Sequence, residues 1–389
     1  MRPIAPRLDV PCGLFLAAAA VAFTMPVAVT DAGAVGWVER PAMLIAAVPA
    51  LAAAAWRLWR RPEGLAAGLI LALATAIGAY AAVADLDAQT AATGASEIGP
   101  GAAGLWLYVL GLGFLAWRAM ALLSALTVEG KGPGRVTALV VPGLFGAWLL
   151  YLWQVAVVGL GVPSVLLPAP GVIAAAIAAT PDTLWADFQQ TFIKSVLSGY
   201  AMGCGAGFFV AVLVDRVPFL QRGLLPIGNL VSALPIVGIA PIMVMWFGFD
   251  WQSKAAVVVV MTFFPMLVNT ITGLHATGAI ERDLMRSYAA SYMQTLLRVR
   301  LPNALPFIFN ALKINSTLAL IGAIVAEFFG TPIVGMGFRI STEIGRMNVA
   351  MVWATIAVAA VAGSLAYGAL AVVERTSTFW HPSYRRKFD

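Results

Sequence analysis

Few polar side chains interrupt the long apolar segments of this 389-residue sequence, and those few are the first candidates for chemistry. Asn310, Lys313 and Thr317 recur at i, i+3 and i+7, so a helix would place them on one face. Asn269 lies in the preceding apolar segment, and Glu327 follows Lys313 near the end of the same segment. An ionisable group in hydrocarbon is costly and marks a functional site by default. These residues could line a polar passage, or they could form hydrogen bonds between helices.

Residues 275–303, between two apolar segments, form a second candidate site. From Glu281 to Arg300 this loop contains good helix formers and no Gly or Pro. It is therefore predicted to form one or two short helices against the inner face of a membrane. An interfacial helix whose arginines bind anionic headgroups is one explanation of its charge. Those arginines are Arg282, Arg286, Arg298 and Arg300.

Motifs for enzymatic chemistry are missing from the sequence. No GxxxxGK followed by Ser or Thr occurs, so this chain lacks the loop that cradles nucleotide phosphates, and energy must come from a partner. HExxH, CxxC, GxSxG and Asp-rich metal motifs are also absent. Cys12 and Cys204 lie in separate apolar segments, and His275 and His381 are expected to be solvated. We expect no covalent chemistry, cofactor or metal on this chain.

The composition indicates a membrane protein. Hydrophobic residues make up 61% of the chain and charged residues 11%, against roughly 45–50% and about 25% in soluble domains. A helix needs about 20 residues to cross the hydrocarbon core, and several uncharged segments reach that length. We predict an all-α integral membrane protein with ten spans, at about 13–30, 41–57, 64–84, 103–126, 137–160, 191–214, 224–249, 255–274, 305–329 and 349–373.

The basic residues predict the direction of these spans. With a cytoplasmic N-terminus, eighteen Lys and Arg residues fall on the cytoplasmic side and five on the other, as the positive-inside rule requires. Both termini are therefore expected in the cytoplasm. The net charge of +6 is explained by topology and not by nucleic-acid binding. A cleaved signal peptide ending at Ala32-Gly33-Ala34 is an alternative for the first segment.

The two halves of the chain differ in texture. The first four spans are rich in Ala and Leu and carry almost no polar residues, as expected of a scaffold. Residues 129–135 are glycine-rich and charged, which is typical of a linker. We therefore place an added four-span domain at 1–128 and a six-span core at 136–389. Prolines at or inside the helix ends of that core indicate kinked helices.

The loop 275–303 resembles the signature loop of the inner-membrane component of binding-protein-dependent ABC importers. That signature reads Glu-Ala-Ala, three residues, Gly, nine residues, Ile-x-Leu-Pro, and its spacing fits here without gaps. The matched positions, of which only the last two agree by identity, are Asp283, Leu284, Met285, Ala289, Val299, Leu301 and Pro302. Segments such as Leu234 to Pro241 and Gly322 to Gly330 extend the resemblance from about residue 136 to the C-terminus.

The resemblance implies a function for this loop. In the family it docks into a groove on an ATPase subunit and transmits nucleotide-driven closure to the membrane helices. The same is implied here for Leu284 to Thr295, with ATP and Mg²⁺ bound by the partner ATPase. The remaining candidate residues of the coupling loop are Arg286, Ala290, Ser291 and Gln294. A solute-binding protein, a second permease copy and a bacterial inner membrane are implied as well.

One position departs from the family pattern in a way that affects the backbone. The family Gly permits a positive φ, whereas Ala289 prefers a continued helix. We therefore expect the turn between the two short helices to be looser or shifted.

The nearest branch of the family includes permeases for nitrate, sulfonates, taurine, bicarbonate and pyrimidine precursors of thiamine. The segment from Glu374 to Tyr384 most resembles the thiamine-precursor type, so the expected solute is small and polar. Two other functions stay open from the residues themselves. An ion-coupled secondary transporter would need an ion site near the bilayer midplane, and a membrane scaffold subunit would only assemble other chains.

Overall fold

A computed structural model describes residues 9–30, 33–60, 63–93, 102–128, 135–232, 235–330 and 333–380. Within these residues the fold is all-α except for one short hairpin. Its strands, β1 (Ala28–Thr30) and β2 (Gly33–Val35), pair antiparallel. The chain divides into two compact units, residues 1–173 and 174–389. The predicted all-α integral membrane fold is confirmed.

In the described part of the first unit, five α-helices pack together with one of them, α4, at their centre. α1 and α3 both pack on α4, α2 packs on α3, and α5 packs on α3 and α4. Ala and Leu, which favour helices, dominate these segments. Next to the hairpin, Trp37 donates a hydrogen bond from Nε1 to the Ala22 carbonyl at 2.8 Å and packs edge-on against Phe23 and Tyr108. The five helices are α1 (Val10–Ala22), α2 (Pro41–Arg60), α3 (Leu65–Thr93), α4 (Ala103–Val128) and α5 (Arg135–Gly159).

The boundary between the two units falls inside α6 (Pro170–Ala179). By its contacts α5 therefore belongs to the first unit, although we predicted it as the first span of the core. Most of the predicted linker, residues 129–134, lies outside the described residues. The division into an added domain at 1–128 and a core at 136–389 stays a prediction.

The second unit is organised around α11, which packs against α8 and α14. Two stretches of π-helix, Gln189–Val196 and Leu296–Arg300, join neighbouring α-helices into 36-residue runs, Pro181–Arg216 and Tyr292–Glu327. The helices of this unit are α7 (Pro181–Phe188), α8 (Leu197–Arg216), α9 (Pro218–Ser232), α10 (Ile236–Phe247), α11 (Trp251–His275), α12 (Ala279–Ser287), α13 (Tyr292–Thr295), α14 (Leu301–Glu327), α15 (Met336–Gly345) and α16 (Val349–Ser377).

Eight helical runs in the described residues are long and apolar enough to cross a membrane, against ten predicted spans. The predicted span at 13–30 is too long, because α1 has 13 residues and gives way to Pro26 and the hairpin. The predicted span at 224–249 is two shorter helices, α9 and α10. Pro235 lies immediately before α10 in an extended conformation, with φ −68° and ψ 123°, and its ring nitrogen has no hydrogen to continue a helix.

Three buried glycines bring α8 and α11 close together. Gly199, Gly203 and Gly207 recur at four-residue intervals, which places them on one face of α8. A Cβ on Gly199 would lie 2.7 Å from the Ala255 carbonyl oxygen, and one on Gly207 would lie 3.0 Å from the Met266 Cβ. Small residues at this spacing let membrane helices approach at backbone distance. The close contact between α8 and α11 therefore requires that these three positions carry no side chain.

Replacement of the middle glycine tests this packing. A Cβ on Gly203 would lie 2.9 Å from both Cα and the carbonyl oxygen of Val259, and closer still to Thr262 Oγ1. We expect Gly203→Ala to lower the free energy of unfolding by about 1–3 kcal/mol, since overpacking forces the helices apart. Thermal unfolding of the detergent-solubilised protein measures this.

Gly205→Ala is the matched control, because Gly205 lies on the same helix and a Cβ there meets nothing within 4 Å. It should be neutral or stabilising by up to about 1 kcal/mol, since Ala favours a helix over Gly. Equal unfolding midpoints for the two variants would contradict glycine-dependent packing of α8 on α11.

Candidate functional site

The predicted coupling loop is built from two helices joined by a tight turn. The first, α12, ends in a Schellman motif. The Ala289 N–H donates to the Arg286 carbonyl at 2.9 Å, and the Ala290 N–H donates to the Met285 carbonyl at 3.0 Å. These bonds satisfy two carbonyls that the end of a helix leaves without partners. The direction of the chain after α12 is therefore fixed by backbone hydrogen bonds.

Ala289 itself makes this turn, with a φ of +52°. The expectation that Ala289 would shift or loosen the turn is therefore wrong. The left-handed conformation costs an L-residue roughly 1–2 kcal/mol, which the two bonds of the Schellman motif and the start of the next helix offset. The position matched to the family's Gly thus has the backbone that Gly would favour.

The second helix of the loop begins with a capping box. The Gln294 N–H donates to Ser291 Oγ at 3.3 Å, and the Ser291 N–H donates to Gln294 Oε1 at 2.8 Å. From Tyr292 the chain is helical to Glu327, through α13, the π segment and α14. Residues 292–303 of the predicted loop are thus the first turns of a 36-residue helical run, which passes through the motif residues Val299, Leu301 and Pro302.

The outer face of α12 is apolar and exposed. Ile280, Leu284 and Tyr288, the C-cap residue of α12, follow at four-residue intervals and are 85%, 55% and 78% exposed. They therefore form one stripe along the helix. No residue of α12 is buried. Asp283 and Arg286 form an exposed ion pair at 3.3 Å beside it. The apolar stripe, meaning these three side chains, has the composition of a docking surface.

The base of the loop is anchored by a buried carboxylate that we did not predict. Asp215, at the end of α8, has a side chain only 1% exposed. Both of its oxygens accept from Arg300, at 2.7 Å each, and Oδ2 also accepts from the Tyr292 hydroxyl at 2.9 Å. Because Arg300 is committed to this pair, it does not reach lipid headgroups as the interfacial-helix explanation requires.

His275 also belongs to this cluster. Its Nε2 lies 3.4 Å from Asp215 Oδ1, while the ring is about half exposed. The ring is thus partly exposed, as expected of a solvated residue, and it also contacts Asp215. His381 lies outside the described residues.

The five predicted path residues do not converge on one site. Lys313 forms an ion pair with Glu374 of α16 at 2.7 Å. Asn269 donates to the Pro265 carbonyl of its own helix at 2.8 Å. Asn310 and Thr317 are exposed on α14. Their role as a solute path stays a prediction.

Asn315, which the periodicity argument did not select, is the most buried polar residue in the middle of α14. Its Nδ2 donates to the Thr262 carbonyl of α11 at 2.7 Å and contacts Cys204 Sγ of α8 at 3.2 Å. One amide thus joins the three central helices. Such bonds between helices are the alternative explanation that the sequence left open for polar residues in the spans.

Glu327 lies at the end of α14 and is 2% exposed. Its carboxylate accepts from the Thr191 hydroxyl at 2.8 Å and from the Gly337 N–H at 2.7 Å. The Met336 N–H in turn donates to Thr191 Oγ1 at 2.7 Å. The group holds the start of α15 against the π segment Gln189–Val196. Its observed contacts are those of a structural residue.

Asp187 and Arg339 extend the cluster around Glu327, and no local sequence pattern indicated either residue. Arg339 Nε donates to Asp187 Oδ2 at 2.7 Å, and the Gly335 N–H donates to Asp187 Oδ1 at 2.8 Å. Nearby, Gln190 donates to Asp250 at 2.8 Å, and this bond helps hold the pKa of the Asp250 carboxyl below its ordinary value. Within the described residues, no three His, Cys, Asp or Glu side chains come together as a metal site.

Comparisons with known proteins identify relatives for the second unit. Residues 203–378 match the family model for the binding-protein-dependent transport system inner membrane component. A "Probable ABC transporter permease protein" of Haemophilus influenzae is 31% identical over 218 residues, which cover 56% of this chain and 88% of the relative.

Two further relatives carry solute names. The formylaminopyrimidine transport permease protein ThiX of Halalkalibacterium halodurans is 29% identical over 239 residues, covering 61% of this chain and 95% of ThiX. The taurine transport system permease protein TauC of Escherichia coli is 28% identical over 199 residues, covering 51% of this chain and 72% of TauC. More than a third of this chain lies outside each alignment.

Relief of the strained turn at Ala289 gives a second prediction. Ala289→Gly should stabilise the turn by roughly 1 kcal/mol, because Gly adopts a positive φ without a Cβ clash. We expect the Ala290 amide, which donates the longer-range bond of the motif, to exchange hydrogen about fivefold more slowly. Ala290→Gly is the control: its φ is not positive, so the added freedom should speed local exchange. Faster exchange in Ala289→Gly would overturn this account of the turn.

A third prediction concerns Glu327. Glu327→Gln removes the charge and one acceptor, so Thr191 or the Gly337 N–H loses its partner and unfolding should become easier by about 1–3 kcal/mol. Thr191→Val should act on the same bonds. The double variant is therefore expected to deviate from additivity by more than about 0.5 kcal/mol in thermal unfolding. A residue that only lined a path would leave the unfolding midpoint unchanged in Glu327→Gln.

Proposed function

The chain belongs to the inner-membrane permease family of binding-protein-dependent ABC importers, and from that premise we propose that residues 275–303 are the segment through which a separate ATPase drives it. The chain is a multi-pass inner-membrane permease subunit of an ABC importer. The observation that carries the proposal is the exposed apolar stripe on α12, formed by Ile280, Leu284 and Tyr288.

The geometry of the loop supports docking of a protein partner. Every residue of α12 except the half-buried Met285 is exposed, while the Schellman motif and the capping box fix the orientation of the helix. A surface fixed before binding loses little conformational entropy on association. Exposed aromatic and aliphatic side chains in such a position are the usual anchors of an interface. We propose that the ATPase groove receives Leu284 to Thr295.

ATP and Mg²⁺ are proposed to bind on that partner, because this sequence contains no phosphate-cradling loop. The permease converts closure of the ATPases into a change of access in its membrane helices. We also propose that two copies of this chain enclose the path, and that both termini lie in the cytoplasm. α16 exposes Val361, Leu365 and Val372 along its length, an apolar surface that suits lipid or a second copy.

The proposed cargo is a small polar solute delivered by a soluble binding protein. Two chemical candidates among those that the relatives' names give are a formylaminopyrimidine and taurine. The tail from Glu374 resembles the thiamine-precursor type, which favours the pyrimidine. Stimulation of ATP hydrolysis by the cognate binding protein, with each solute in turn, distinguishes the candidates.

Charge placed in the apolar stripe tests the docking proposal. We expect Leu284→Asp to weaken co-purification of the ATPase at least about tenfold, since loss of an interface anchor costs about 1.4 kcal/mol or more. Ile344→Asp is the matched control, because Ile344 is also 55% exposed but lies on α15. Binding is measured by titrating the purified ATPase against the detergent-solubilised permease. Unchanged affinity in Leu284→Asp would leave the interfacial-helix explanation in its place.

A further inference from the structure

A buried carboxylate ties the coupling loop to the membrane helices, beside the apolar packing of Leu296 in one cluster with Leu274. Asp215 accepts from the first residue of α13, Tyr292, and from the last residue of the π segment, Arg300. A single side chain therefore holds both ends of the segment 292–300. A bidentate pair between a guanidinium and a carboxylate fixes relative orientation as well as distance.

Arg300 extends the connection to a third helix. Its Nε and one terminal nitrogen each donate to the Leu274 carbonyl at 3.2 Å. Leu274 is fully buried near the C-terminus of α11. A cation is favoured at the C-terminal end of a helix, where carbonyls lack partners. The ends of α8 and α11 thus meet the start of the 36-residue run at one guanidinium.

The π segment explains how Arg300 reaches this position. A π-helix has i to i+5 hydrogen bonds and locally changes which side chains share a face, and it is frequent at functional sites. Here it covers Leu296–Arg300 and ends at the arginine. Tyr292 is further held by the Arg216 guanidinium, which lies 5.3 Å from its ring centre. The base of the loop is therefore constrained from two sides.

We propose that Asp215 is a positioning residue for energy coupling: through Arg300 and Tyr292 it makes α12 move as one rigid body with α8, α11 and α14. The inference rests on the proposed docking of an ATPase on α12. Without this carboxylate the start of the run at Tyr292 would pivot at the π segment. Motion of α12 would then be absorbed locally and would not reach the membrane helices.

A second buried ion pair in the same unit supplies the comparison. Lys313 and Glu374 join α14 to α16 at 2.7 Å, and their side chains are 18% and 9% exposed. Like the pair of Arg300 and Asp215, this pair joins a basic side chain to a carboxylate at a partly buried position. Neither of its residues belongs to the coupling loop. Loss of Lys313–Glu374 should reduce stability without changing how α12 follows α8.

Distance measurement between α12 and α8 tests the proposal. Spin labels are placed on introduced cysteines, Arg282→Cys on α12 and Leu213→Cys on α8, both at exposed positions. The natural cysteines, Cys12 and Cys204, are buried. The full complex with its ATPase is measured in lipid nanodiscs, with and without a non-hydrolysable ATP analogue.

The expected result is a single narrow distance that does not change with nucleotide in the otherwise unchanged chain. In Asp215→Asn the distance distribution should broaden when the nucleotide binds. Arg300→Lys keeps the positive charge but cannot form the bidentate pair, so its distribution should broaden partly. Tyr292→Phe removes one hydroxyl and should broaden the distance distribution least. It is the variant that tests the proposal if Asp215→Asn does not fold. Lys313→Met with Glu374→Met should keep the narrow distance.

Two results would overturn the inference: a nucleotide-dependent distance already present before substitution, or a narrow and constant distance in both Asp215→Asn and Tyr292→Phe. Failure of docking cannot be mistaken for either of these results, because ATPase binding is measured on the same samples. If the ATPase does not bind the chain that carries only the labels, it is the proposed docking that fails.

Discussion

A charged or polar side chain within a membrane protein has little water to satisfy it, so its partners must come from the protein. The second unit meets this constraint with paired groups at both ends of its central helices. Asp215 with Arg300 lies where α8 and α11 end, and Asp187 with Arg339 lies near the start of α15. Between them, Asn315 bonds α14 to α11. These fixed pairs set how the helices are aligned along their length. The coupling loop and the cluster around Glu327 depend on that alignment.

Close backbone packing and π-helices make that arrangement possible. The glycine face of α8 allows α11 to approach, which brings the ends of the two helices within reach of one guanidinium. Both π segments carry residues of a polar cluster: Thr191 in Gln189–Val196 and Arg300 in Leu296–Arg300. Because a π-helix forms i to i+5 hydrogen bonds, these side chains point inward where an α-helix of the same sequence would present others.

Local sequence signals predicted local structure well. The lengths of the hydrophobic segments predicted eight spans that the structure contains. The Ser291 to Gln294 spacing of a capping box was also present in the sequence, although we did not use it. The GxxxGxxxG pattern of α8 was equally visible. The predictions failed where a helix breaks, as at Pro235, because apolar composition alone does not distinguish one span from two shorter helices.

Partners distant in sequence could not be predicted, since 85 residues separate Asp215 from Arg300 and 136 separate Thr191 from Glu327. The loop shows why this matters for function. Its tip, α12, carries apolar side chains that are mostly exposed, while its base is held by hydrogen bonds and a buried ion pair. A flexible base would let docking energy dissipate in the loop itself. In the coupling that we propose, force on the tip would act on the membrane helices, because the base is fixed to α8 and α11.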